Sequence, residues 1–203
     1  MTIFHDPSFY YNDLTRSITD AITSSLNNGI SSASSFAMWD YPIFIDAEDD
    51  IIEWRYNVHF ADNVGDRHFD VWASAGFNEH HIPEVEFTIV LPENVILKDC
   101  VIDKSELSGA VAHELHHIAQ KNEGFCEYQG DSTNPQVRYY LNSIEVPAFH
   151  MGFRAQCSCT GEDMEEAMRS YLSGQTVNDE EIELIINAWL YPNFEIALTN
   201  LIG

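Results

Sequence analysis

The stretch from Val111 to Gln120, VAHELHHIAQ, constrains this chain more than any other, because it sets an HExxH pattern inside an apolar, helix-forming run. A helix advances about 100° per residue, so His113, Glu114 and His117 fall at roughly 0°, 100° and 40° and share one face. Leu107, Ala110, Val111, Leu115 and Ile118 recur at helical spacing around them, and Asp103 followed by Glu106 reads as a capping box at the helix start. A chain of this composition would contain the motif by chance about 0.03 times. The chemistry that fits is a metal site. Two neutral imidazoles hold a zinc ion, the ion lowers the pKa of its water, and the adjacent Glu114 takes the proton without being a ligand. His116 stands about −60° from His113, away from Glu114, so it reads as packing or support and His117 as the ligand.

A catalytic zinc takes three protein ligands and leaves one position open, so a third donor must come from elsewhere. Glu123 lies at the offset used by HExxHxxGxxH sites, but Gln120 occupies the place where that pattern needs a glycine. Glu145 lies 28 residues after His117. Ser143 reads as the N-cap of a second helix there, and Pro147 suits a first turn, whose N–H groups have no intrahelical partner. A carboxylate at that end is favoured in its ionised form by the helix dipole. Glu145 is therefore the leading candidate, with Glu123, Glu127, Asp131 and His150 as alternatives.

With His113, Glu114, His117 and Glu145 in this order, the chain resembles the zincin metallopeptidases, and among them the gluzincin branch, in which HExxH is completed by a Glu on a later helix. The direct match covers Val111–Gln120 and Ser143–Ala148, and the order of elements extends the likeness over residues 84–156. The resemblance is to small stand-alone forms found among bacterial and phage proteins. It implies one zinc ion per chain held by His113, His117 and Glu145, with Glu114 as general base, and a peptide or protein as substrate. It also implies a single zincin-like domain over residues 1–203, in which 160–203 form a helical subdomain. The separate His or Tyr that larger relatives use to stabilise the oxyanion has no evident counterpart. Tyr139, Tyr140 and His150 are candidates by position.

Charge narrows the partners. Nine Lys and Arg stand against 33 Asp and Glu, a net charge of −24, with acidic clusters at 46–53, 162–166 and 179–183. Such a field repels nucleic acid and anionic membranes and favours cations or basic partners. The N-terminus has no basic region followed by an apolar run, and no stretch reaches membrane-spanning length. Cys100, Cys126, Cys157 and Cys159 match no zinc-finger or thioredoxin spacing and read as reduced thiols of a cytoplasmic protein, with association with a virion as the other location. His80-His81 reads as a loop pair. Two rivals to the peptidase follow. One is a non-enzymatic acidic interaction protein, a zincin-shaped binding module or a DNA mimic that captures a basic partner. The other is a structural zinc whose fourth position is closed by Cys126 or His150.

Periodicity supplies the α+β frame. Asp6-Pro7 opens an N-terminal helix whose stripe of Leu14, Ile18, Ala21, Ile22 and Leu26 runs to Asn27-Asn28-Gly29. The Ser-rich segment from Ile30 to Met38 reads as loop. Four strands follow, at Ile43–Ile45, Ile52–Phe60, Phe69–Ala73 and Val85–Leu91, forming one mostly antiparallel sheet, with the last strand as an edge along which a peptide could lie. Residues 123–134 read as a polar loop between the two metal-site helices. Three short helices end the chain, with stripes of Met164, Met168, Tyr171 and Leu172, of Ile182, Ile185, Ile186 and Leu190, and of Phe194, Ile196, Leu198 and Leu201, the last two separated by Pro192. These apolar side chains read as core.

Overall fold

A computed structural model describes residues 8–38, 51–61, 69–99, 102–123 and 132–192. The Asp6-Pro7 helix start, the strand at Ile43–Ile45 and the third tail helix lie outside them, as does most of the expected loop after Glu123. The fold is α+β: an N-terminal helix, a four-stranded mixed sheet and a helical C-terminal half.

Helix α1, Ser8–Asn27, buries Leu14, Ile18, Ile22 and Leu26. It ends in a Schellman arrangement, in which Gly29 N–H donates to Leu26 O and Ile30 N–H to Ser25 O, with Gly29 in the left-handed region at φ 76°. The Ser-rich segment that follows is not loop. Its residues 32–38 form strand β1, Ser32–Met38, antiparallel to β2, Ile51–Ala61. Ala33 and Ala37 pack on the core while Ser34 and Phe36 face outward, so pairing and alternation override the weak strand propensity of serine.

Strands β3, Asp70–Phe77, and β4, Pro83–Pro92, complete the sheet in the order β1-β2-β4-β3. β4 runs parallel to β2 and antiparallel to β3, so two of the three pairings are antiparallel. β4 is therefore an interior strand, which corrects the expectation that Val85–Leu91 offers an open edge. Its apolar face explains the placement: Val85, Phe87, Ile89 and Leu91 are fully buried, and Val90 on the other face is buried too. The β3–β4 turn is held by Asn78, whose Oδ1 accepts from His80 N–H and Ile82 N–H, and His81 adopts φ 61°. The His80-His81 pair is thus turn chemistry.

Helix α2, Lys104–Glu123, is capped by Asp103, whose carboxylate accepts from Ser105 N–H and Oγ–H, and it lays Leu107, Val111, Leu115 and Ile118 against the sheet. A short helix α3, Pro135–Tyr140, follows, with Asn134 as its N-cap and Pro135 at its first position. Helix α4, Glu145–Thr160, is not capped by Ser143. The residue before it, Ile144, already has helical angles, while Asn142 turns the chain by accepting Ile144 N–H on its side chain and Val146 N–H on its carbonyl. Pro147 does lie in the first turn.

Helices α5, Met164–Ser173, and α6, Asp179–Leu190, bear the expected apolar stripes and are capped by Asp163 and by an Asn178–Glu181 capping box. They build a second apolar cluster with α3 and α4, centred on Trp189, which stacks on Phe149 at 4.3 Å and donates to Tyr140 O. The packing of α2 against α4 joins this cluster to the first, formed by α1, α2 and the sheet. No helix among the described residues is long and apolar enough to cross a membrane.

Candidate metal centre

Helices α2 and α4 run in opposite directions along their contact. His113 lies against Gly152 and Phe149, and Gln120, two turns on, reaches back to Ile144 at the α4 entry. That register brings the first residue of α4, Glu145, opposite the two histidines. Their Nε2 atoms are 3.0 Å apart, and Glu145 Oε2 lies 3.3 Å from His113 Nε2 and 3.5 Å from His117 Nε2. The three side chains are only 14, 12 and 16% exposed. Among the described residues these are the three His, Cys, Asp or Glu side chains grouped so that they could hold a metal ion.

The donor set fits such an ion on three counts. Metal–ligand bonds of about 2.0–2.2 Å in a tetrahedron separate the ligand atoms by about 3.3–3.6 Å, close to the triangle found here. Glu145 Oε2 is buried and makes no hydrogen bond of normal geometry, a cost of about 1–3 kcal/mol that a cation would remove. The tautomer of His117 is also fixed. Gln120 Nε2 donates to Ile144 O at 2.8 Å, which leaves its Oε1 as acceptor for His117 Nδ1 at 3.0 Å. Nδ1 then carries the proton and Nε2 turns a lone pair toward the triangle.

Electrostatics follow from this crowding. Burial pushes the Glu145 carboxyl up, but the adjacent His113 and His117 outweigh it and hold its pKa at about 2. Burial lowers His117, yet Glu145, Gln120 and the charge of Glu114 together raise it above the ordinary histidine value. His116, one residue before His117, belongs to no donor set. Burial and then the charges of His117, His113 and His150 bring it down to about 4, so it is neutral at physiological pH.

Each residue singled out in the sequence has a definite place. His113, His117 and Glu145 come together, and Glu114 is buried on the same helix, with its charge felt at both His117 and Tyr139. Of the three oxyanion candidates, Tyr139 alone adjoins the triad. Its phenol is pushed far above the usual range by burial, then by the charge of Glu145 and a hydrogen bond to it, and its residue is 48% exposed. Tyr140 is buried in the second cluster and its hydroxyl accepts from Gln136. His150 turns its Nδ1 to Trp189 O at 2.7 Å and is not grouped with the triangle. Glu127, Asp131 and Cys126 lie outside the described residues, as does the side chain of Glu123, whose backbone ends α2.

Gln120 is the residue of the candidate site that no sequence pattern marks. An amide one turn beyond an HExxH histidine carries no motif, and its value emerges only when α4 supplies a carbonyl for its other end. No known protein family, characterised protein or solved structure matches the chain.

Proposed function

We propose that the chain is a zinc-dependent metallopeptidase, a single zincin-like domain of the gluzincin type, which hydrolyses a peptide bond with Glu114 as general base. The observation that carries this reading is the convergence of His113, His117 and Glu145 with a buried carboxylate, Glu114, on the same helix. Zinc suits two imidazoles and one carboxylate in a tetrahedral triangle, and once bound it supplies Lewis acidity and a water of lowered pKa. The protein's own groups do the rest. The Glu114 carboxylate takes a proton from the attacking water and returns it to the nitrogen of the departing amine. Tyr139, half-exposed beside Glu145, offers a phenolic O–H to the oxygen of the tetrahedral species. An extended peptide would lie along β3, the edge strand that packs beside α2. Cys157 and Cys159 are free thiols, in keeping with a reducing, cytoplasmic setting.

The decisive comparison is wild type against Glu114→Gln, with metal content and hydrolysis of a mixed peptide library read together. Wild type should carry one zinc and cleave peptides. The variant should keep the zinc and lose about 10²–10⁴ in kcat. A variant of undiminished activity would reject Glu114 as the base.

A second reading, an acidic interaction protein without enzymatic activity, draws on the net charge of −24. Arg16, Arg55, Lys104 and Arg169 are each already ion-paired within the chain, so these cations leave most of the carboxylates uncompensated. It predicts salt-sensitive capture of a basic protein and no stoichiometric zinc.

A further inference from the structure

The ligand triangle is assembled by two helices, so its size depends on how closely they approach. At their crossing no side chain separates them. A Cβ added at Gly152 would stand 3.0 Å from the carbonyl oxygen of Gly109 and 3.4 Å from His113 Cβ. A Cβ added at Gly109 would stand 3.2 Å from the carbonyl oxygen of Gly152 and 3.5 Å from Gln156. Ordinary carbon contacts lie at about 3.5–4.0 Å, so neither helix accepts a methyl group here without giving way. What it would meet first is a helix carbonyl, which moves only with its helix.

The two glycines lie on the same stripes as the ligands. Gly109, His113 and His117 follow at intervals of four along α2, and Glu145, Phe149 and Gly152 at intervals of four and three along α4. One turn separates Gly109 from His113, and two turns separate Gly152 from Glu145. Beyond the ligands, the Gln120 amide ties α2 to Ile144 O at 2.8 Å. The triangle is thus bracketed by backbone contact on one side and an amide tether on the other.

We propose that Gly109 and Gly152 are positioning residues for the metal centre: their contact sets the α2–α4 separation at which His113, His117 and Glu145 reach ligand distance. The proposal rests on the metal-centre reading above. Glycine in mid-helix is disfavoured against alanine in isolation, and at this crossing that cost is offset by an approach that an added Cβ would obstruct.

The test titrates wild type, Gly152→Ala, Gly109→Ala and the double variant with zinc and with cobalt(II), reading affinity and the visible absorption of four-coordinate cobalt. Thermal unfolding in chelator reports the fold separately. Gly174→Ala is the control, because its Cβ would meet nothing nearer than Tyr171 O at 3.9 Å. Wild type and control should bind one ion with the same spectrum. Gly152→Ala should lose about 10- to 100-fold in affinity with shifted cobalt bands while remaining folded in chelator, and the double variant should lose more. If Gly152→Ala fails to fold, Gly109→Ala, with the flexible Gln156 side chain behind it, carries the comparison. Glycine variants that keep wild-type affinity and spectrum overturn the proposal and leave the metal centre standing. A wild type that takes up no stoichiometric ion removes the metal centre, and the proposal with it.

Discussion

Gln120 fixes which nitrogen of His117 faces the triangle and anchors the entry of α4, two tasks for one buried amide. Gln120→Leu keeps the volume and removes both bonds. It should weaken metal binding by about 10- to 100-fold and take from Ile144 O its side-chain donor, which isothermal titration and chemical unfolding would measure separately. His116 makes a pH prediction. In the unfolded chain it protonates near 6.5, and in the fold only near 4. The unfolded state therefore binds its proton first as pH falls, so the stability this residue contributes is complete above about 6.5 and is lost on the way down to 4. The loss should reach at most about 3 kcal/mol, and His116→Phe should flatten the stability profile in that window. His113, Glu114 and His117, the residues proposed above as two ligands and the base, are legible in the sequence because one helix carries them at fixed angles. Glu145 needs the second helix as well, and the roles of Gln120 and Tyr139 arise only from contact between helices.

Elements were legible where one periodicity dominates. The stripes of α1, α2, α5 and α6 and the alternation of β2 and β4 are visible in the residues themselves. β1 was not, since Ser32, Ser34 and Ser35 take their strand conformation from pairing with β2. The start of α4 departs from the Ser143 cap that its sequence suggests, because Asn142 makes the turn. The end of α1 is a case where the local signal was sufficient: Asn27-Asn28-Gly29 marked the stop, and Gly29 occupies φ 76°. An alanine there meets no atom within 4 Å, so its cost is conformational alone. Gly29→Ala should lower stability by about 1–2 kcal/mol in thermal unfolding without changing metal affinity.

At the scale of the molecule, the division into sheet and helices followed from the order of patterns. The insertion of β4 between β2 and β3 did not, because adjacency in a sheet is decided by which strand buries both faces. The two helices that carry the triad are rooted in different apolar clusters: α2 lies in the one against the sheet, while α4 buries Val146, Phe149 and Phe153 in the one around Trp189 and touches the first through Met151. Added zinc should therefore stabilise the whole chain, by about 2.7 kcal/mol at a hundredfold excess over Kd. Differential scanning calorimetry would show one transition with zinc, and with chelator an earlier loss of the α4–α6 half. On the metal-centre reading proposed above, an ion seated at that seam would act as a rivet, so its loss would do more than remove its chemistry. The α2–α4 boundary would then open more often, and the chain in chelator should be cut faster by an added protease than the same chain with zinc.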